Sequence, residues 1–528
     1  MIISGLNALR GYMHGDGAIV LPEIELLLFA MGILIMDRWF AGQERYWTAG
    51  LALAGTFFSG LTLWMFRGQI EERGDLSGFH GGLVVDGFFL FFAALILIAT
   101  AFVILLSMRF SVVAREHQGR AYALLLFASA ALVLMVSGSD LLVDFLAVEC
   151  AALSCYFLCA LPGDTGKPQP ATINYVLSSA LSSAILAYGF SLVYAATAAL
   201  NFSQSGSTLA HRNSFAQVVA LSRQAGGRGE QMYRLLQERM PEALHWHPWM
   251  IKALPFAAFT VIVVALLVKM GALNVFPDAR DSSDGIPTVF RAYLGSAVFA
   301  ATMALLLRLL LTIFSDLLPA WTYVVEGLSC AAVLWGIAAA YRARTSRRMI
   351  NASLLAHAGY LLMGLVAANE RSLTGVNFYL FTNLFAIVGT FAILMLVAPR
   401  DTGNPDGDEV AGLAQRNGLA ASLLTIFLFS LAGIPPTAGF LGRYVIVRAL
   451  VETGHGSLAW FAGLTSLALA YFYLHAIVLV WRKTKIERCA LNLDGVVVAM
   501  LAACLFVSLA AGLYAEPFTR LARYALGQ

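Results

Sequence analysis

Residues 429–447 read FSLAGIPPTAGFLGRYVIV. The apolar run 417–451 that contains them is too long for one straight bilayer crossing at about 1.5 Å per residue. Pro435 and Pro436 remove two backbone donors and clash with the preceding turn, so the helix is expected to break there. Arg443 follows the break. A second stretch, residues 264–288, reads VALLVKMGALNVFPDARDSSDGIPT, with Lys269 ahead of Pro277 and Pro287. A basic side chain near the bilayer middle costs roughly 2.5–3.5 kcal/mol on insertion scales and marks a functional site by default. Broken helices in corresponding places of two halves point to a transport site built from internal repeats.

The composition agrees with a polytopic membrane protein. Of 528 residues, 59% are hydrophobic and 12% charged, against about 25% charged in a soluble domain. With roughly 20 apolar residues per crossing, the chain reads as about fourteen spans: 18–36, 47–66, 83–107, 119–138, 140–161, 171–198, 253–276, 286–313, 317–341, 350–368, 374–398, 417–451, 458–481 and 495–515. The net charge of +3 gives no reason to expect a nucleic-acid partner. Basic residues gather in odd-numbered loops: Arg109, Arg115 and Arg120; Arg342, Arg344, Arg347 and Arg348; Arg482, Lys483, Lys485 and Arg488. The positive-inside rule makes that side cytoplasmic and puts both termini outside. No removable signal peptide is expected. The largest excursion, 201–252, contains two segments with amphipathic helical patterns, SFAQVVALSRQ and GEQMYRLLQERM.

Glu149 lies midway along the fifth span, in SDLLVDFLAVECAALSCYFL. A buried carboxylate must be protonated or paired with a cation, and Lys269 is the natural partner. Such a pair can exchange protons when it opens; the alternatives are a static ion pair for Glu149 and snorkelling for Lys269. Arg443 keeps its charge at any accessible pH, which suits a fixed field or a structural role better than carriage. His357, in LLAHAGYLLMG, titrates near neutrality and reads either as a relay or as a hydrogen-bonded core residue. His475 is a weaker candidate. Asp86 and Glu326 have no obvious partner in the sequence.

Other chemistries find no support. No phosphate loop or dinucleotide fingerprint follows a strand, and no cysteine set suits an iron–sulfur cluster. Cys150, Cys155, Cys159, Cys330 and Cys504 read as small apolar packing residues. The expectation is a chain with no cofactor, no metal and no catalytic residue in the chemical sense, whose energy comes from a gradient or a partner.

Several segments together resemble one family. Residues 119–158, GRAYALLLFASAALVLMVSGSDLLVDFLAVECAALSCYFL, are similar to spans 4 and 5 of the antiporter-like subunits of respiratory complex I, NADH:quinone oxidoreductase. RRMINASLLAHAGYLLMGL (347–365) resembles the family's histidine-bearing segment, and SLAGIPPTAGFLGR its second broken helix. LPEIELLLFAMGILIMDRWF (21–40) and VDGFFLFFAALILIATAFVILLS (85–107) resemble the N-type subunit in particular. The resemblance implies an all-α polytopic fold with two inverted five-helix repeats. Residues 1–110 would hold three N-terminal helices, 119–313 the first repeat with its external insertion 201–252, 317–481 the second, and 495–528 the last helix. It also implies proton translocation in a bacterial inner membrane and partnership with other complex I membrane subunits, with quinone reduced elsewhere. Glu149 and Lys269 would be where protons enter, with Arg443 near the exit.

The family's central relay lysine, counted back from Arg308 or on from Pro287, falls here on Phe299. The lysine beside the second break has become Arg443, and one at the start of span 6 has become Asn174. The subunit therefore reads either as a pump in which water and His357 bridge the gap, or as a non-pumping scaffold with a degenerate channel. A subunit of a cation/proton antiporter and the membrane half of another energy-coupling module are further alternatives, and neighbouring genes would separate them.

Overall fold

The computed structural model describes residues 16–39, 46–109, 117–161, 170–209, 248–270, 287–315, 318–343, 345–397, 410–483 and 495–527. Pro277, the two amphipathic segments of the insertion and most of the loop after the eleventh span lie outside those residues. The backbone is almost wholly helical, as a bilayer without water to satisfy peptide groups requires. In chain order the helices are α1 (Leu21–Trp39), α2 (Tyr46–Arg73), α3 (Gly87–Arg109), α4 (Gln118–Ser137), α5 (Leu141–Ala160), α6 (Pro170–Thr197), α7 (Pro248–Met270) and α8 (Thr288–Thr312). Then come α9 (Leu318–Arg342), α10 (Ser346–Ala367), α11 (Glu370–Val397), α12 (Gly418–Ala432), α13 (Ala438–Glu452), α14 (Gly456–Trp481), α15 (Gly495–Leu513) and α16 (Glu516–Tyr524).

Among the described residues, twelve helices are long and apolar enough to cross a membrane. α1 has 19 residues with four charged side chains and falls outside that group. α12 and α13, 15 residues each, are the two halves of the run 417–451, broken at Gly433–Thr437 as its prolines predict. The third span begins later than expected. Residues Leu83–Val85 form a strand, β2, paired antiparallel with β1 (Leu76–Gly78). Asp86 then caps α3, its Oδ1 accepting from the Phe89 amide at 2.7 Å.

Helix starts follow local chemistry. Asp140 caps α5 by accepting from Leu142 and Val143, Thr345 caps α10, and Asn417 caps α12, each satisfying amides that have no partner inside the helix. Loop contacts fix which ends share a face. Ser139 donates to the Gly82 carbonyl, Asn201 to Gly81, and Arg523 lies 3.9 Å from Glu370, so even-numbered loops and the C-terminal helix lie together. Gly412 meets Leu479 on the opposite, odd-numbered face.

Burial marks the centre of the bundle. The apolar window of α10 is 100% buried and that of α11 94%, whereas α14 reaches only 28%. The α6–α7 and α9–α10 pairs pack along their length; α7 touches α10, and α8 touches α11. Side chains on α7, α8, α10 and α11 thus meet across the middle of the bundle.

Candidate proton-relay site

The second broken helix explains how the membrane holds Arg443, which is 5% exposed with no carboxylate beside it among the described residues. A helix end leaves its last four carbonyls unsatisfied. In α12 the Phe429 carbonyl accepts from the Ile434 amide at 3.0 Å and that of Ser430 from Gly433 at 3.1 Å. Gly433 makes this turn at φ 74°, where a side chain would be strained and would press on the guanidinium. The two remaining carbonyls belong to Arg443. Its Nη2 donates to Leu431 at 2.5 Å and its Nη1 to Ala432 at 2.9 Å. The cation thus sits at the negative end of the helix dipole and 4.8 Å over the Tyr360 ring. Gly442 lets α13 press onto the Tyr379 backbone, which brings the guanidinium to that tyrosine.

From Arg443 a hydrogen-bond chain runs inward. Its Nε donates to the Tyr379 hydroxyl at 2.8 Å, which lies 2.7 Å from His357 Nδ1. Arg443 Nη2 also faces Nδ1 at 3.5 Å. A guanidinium has no acceptor, so Nδ1 is the unprotonated nitrogen and Nε2 carries the proton. Nε2 donates to the Tyr473 hydroxyl at 3.0 Å; Tyr473 donates to Ser353 at 2.5 Å, and Ser353 to the Ile350 carbonyl at 2.6 Å. Every group but Tyr379's neighbour Asn383, whose Oδ1 finds no partner, is used. His357 is fully buried. A neutral imidazole held this way can accept a proton on one nitrogen and release one from the other.

In the first half, Lys269 Nζ donates to the Ser183 hydroxyl at 3.0 Å. The structure does not bring it into an ion pair with Glu149: no such contact within 4.0 Å exists among the described residues. Glu149 lies on the flank of an exposed apolar stripe on α5, beside Leu142, Leu146 and Leu153, and its Oε1 is buried without a hydrogen-bond partner. Asp144, five residues before it and on a different face of α5, is buried with no hydrogen-bond partner for either oxygen.

Between the halves lies a cavity of about 30 Å³ walled by Lys269, Ser179, Phe299, Thr302 and Asn351. A water needs roughly 10–15 Å³ of such space, so one or two fit against these polar groups. Phe299 follows a π-helical turn, Leu294–Val298, in α8. Ser296 in that turn donates to its own helix at Ala292, 2.5 Å away. Pro287 stands at the N-cap of α8.

Sequence reasoning missed three participants in the His357 chain. Tyr379, Tyr473 and Ser353 complete the His357 chain, whereas His475 faces outward. Asp86, which has no obvious partner in the sequence, binds Arg308 at 3.0 Å, and that guanidinium lies 4.8 Å over Phe88.

A bundle with a broken helix whose end is capped by a buried cation, and with titratable groups strung across its centre, defines an antiporter-like membrane subunit. The chain belongs to the NADH:quinone oxidoreductase/Mrp antiporter transmembrane family, whose pattern matches residues 138–469. It is 31% identical to NADH-quinone oxidoreductase subunit N 2 of Solibacter usitatus, over 98% of each chain. In fold it is similar to a chain of respiratory complex I from Thermus thermophilus with bound aureothin (TM-score 0.72, 23% identity, 95% and 100% covered). It is also similar to a chain of the Mrp complex from a Dietzia species (TM-score 0.73, 17% identity, 97% and 96% covered).

Proposed function

We propose that this chain is a proton-translocating membrane subunit of NADH:quinone oxidoreductase, working beside other membrane subunits of that complex. It holds no redox centre or cofactor of its own. The observation that carries the reading is the unbroken chain from Arg443 through Tyr379, His357 and Tyr473 to Ser353. Fold likeness alone does not separate an oxidoreductase subunit from a cation/proton antiporter, since both kinds share it; relatives named as subunit N favour the former.

Protons enter on the side of Glu149 and reach Lys269 when its carboxylate or an intervening water comes within reach. One or two waters in the cavity beside Phe299 replace the missing side-chain carrier. His357 then passes the proton, while Arg443 stays charged, orients Tyr379 and biases the direction of transfer. Each proton moved against 100 mV costs about 2.3 kcal/mol, which charge rearrangement in partner subunits must supply. The basic residues of the odd-numbered loops support a cytoplasmic location for that face in a bacterium, with both termini outside. We read 119–313 and 317–481 as the two repeats.

The second reading, a non-pumping scaffold, is favoured by one observation: Phe299 stands in the cavity wall with no titratable group of its own. His357→Gln separates the two. The amide fills the space and makes hydrogen bonds but cannot exchange protons between two ring nitrogens. In the reconstituted parent complex, a relay requires that protons moved per electron pair fall while quinone reduction persists. A scaffold requires that ratio to stay at the wild-type value.

A further inference from the structure

A groove of about 1140 Å³ runs between α2, α3 and α16, beyond the roughly 300–1,000 Å³ of ordinary small-molecule pockets. Its long walls are apolar, from Phe57, Leu61 and Trp64 on α2 and Leu95 and Ile98 on α3. The α3 wall extends from Leu90 to Leu105, about 22 Å at a rise of 1.5 Å per residue. Half of a hydrocarbon core of about 30 Å is about 15 Å. An acyl chain therefore fits lengthwise from the interface inward.

The mouth has a different chemistry. Arg67 is the first charged residue after the apolar run of α2, and Arg520 projects from α16, an amphipathic helix lying on the bundle end. In a bilayer spanned by the apolar runs of α2 and α3, both would stand at the level of the phospholipid headgroups. Each guanidinium bonds a glutamate on its own helix only through Nε: Arg67 to Glu71 and Arg520 to Glu516, both at 3.0 Å. Exposed pairs of this kind are weak. Among the described residues the Nη atoms of both make no hydrogen bond, leaving two forks shaped for bidentate contact with phosphate oxygens.

We propose that this groove binds one anionic diacyl phospholipid, its chains along α2 and α3 and its phosphate between Arg67 and Arg520. A transmembrane helix from a neighbouring protein would cover the walls, yet would answer the two forks only if it carried an acid at that level. The α16 helix has a clear role under this assignment: it supplies half of the headgroup site.

The test uses the purified parent complex incubated with vesicles containing equal amounts of dioleoyl phosphatidylglycerol and dioleoyl phosphatidylcholine, with retained lipid read by native mass spectrometry. The expected result is one phosphatidylglycerol held in the groove with at least about tenfold preference. The double variant Arg67→Gln/Arg520→Gln abolishes the preference, and Arg67→Lys/Arg520→Lys keeps part of it. A Cβ at Gly60 meets nothing within 4 Å, so Gly60→Phe fills the groove without disturbing the protein and expels the lipid while circular dichroism is unchanged. Equal retention of the two lipids overturns the proposal, as does phosphatidylglycerol binding that neither Arg67→Gln/Arg520→Gln nor Gly60→Phe alters. A photo-crosslinker at Leu61 that captures a neighbouring subunit instead of lipid also overturns it.

Discussion

The Tyr379 hydroxyl lies 2.7 Å from Nδ1 of His357. The same hydroxyl oxygen accepts from Arg443 Nε at 2.8 Å, so its proton is free to point at the imidazole. A charge that cannot leave thereby sets the orientation of a group that can exchange its proton. In the proposed relay, Arg443 therefore acts by orienting Tyr379 and not by carrying a proton.

Replacing Tyr473 by Phe leaves the Nε2 proton of His357 without its acceptor in a fully buried site. An unsatisfied buried group costs about 1–3 kcal/mol. Tyr473→Phe should lower the thermal unfolding temperature accordingly and reduce protons moved per electron pair. Tyr379→Phe should cost more, because Arg443 Nε loses its acceptor too. Unfolding curves of the two purified variants give the order.

Arg443→Met removes the cap from the Leu431 and Ala432 carbonyls, and a loss of about 3 kcal/mol is expected from two orphaned acceptors. Arg443→Lys keeps the charge but has no planar fork to span both carbonyls and Tyr379, so it should fall between. Faster amide exchange at Gly433 and Ile434 in Arg443→Met, with α3 and α4 unchanged, is the expected signature. Equal protection in all three proteins would remove the capping argument.

The break at 433–437 was legible in sequence because prolines act locally. Lys269, His357 and Arg443 stood out because an ionisable group in an apolar run is conspicuous. Their partners were not legible. Tyr379 and Tyr473 look like any tyrosine in a membrane helix, and only packing shows that both point at one imidazole. The Asp86–Arg308 pair joins residues 222 apart in sequence, beyond the reach of any spacing rule. Charge alone matches Lys269 with Glu149, whereas the structure seats it on Ser183 from the helix packed along α7.

Asp86 plays two parts that substitution can divide. Asp86→Asn keeps a good helix cap but leaves the Arg308 charge unpaired. Orphaning a fully buried charge costs about 3–5 kcal/mol; with Asp86 24% exposed, about 2–3 kcal/mol is expected. Asp86→Ala should lose about 1 kcal/mol more as the cap goes. Denaturant midpoints of the pair test whether the two contributions separate.

Phe299 limits the cavity beside Lys269. Phe299→Trp should fill the space, exclude the one or two waters and depress proton movement, with overpacking costing about 1–3 kcal/mol. Phe299→Leu should enlarge the space and leave proton movement near wild type. The comparison is made in vesicles holding the parent complex, with quinone reduction recorded in parallel.

The central claim is that protons cross this chain through Lys269 although Phe299 replaces the family's central carrier. The most direct measurement is protons translocated per electron pair by the reconstituted parent complex carrying Lys269→Ala, with subunit content checked in the same preparation. The account predicts a lower ratio with assembly intact and electrons still reaching quinone. A wild-type ratio in a fully assembled Lys269→Ala complex would contradict it and leave the chain a structural spacer.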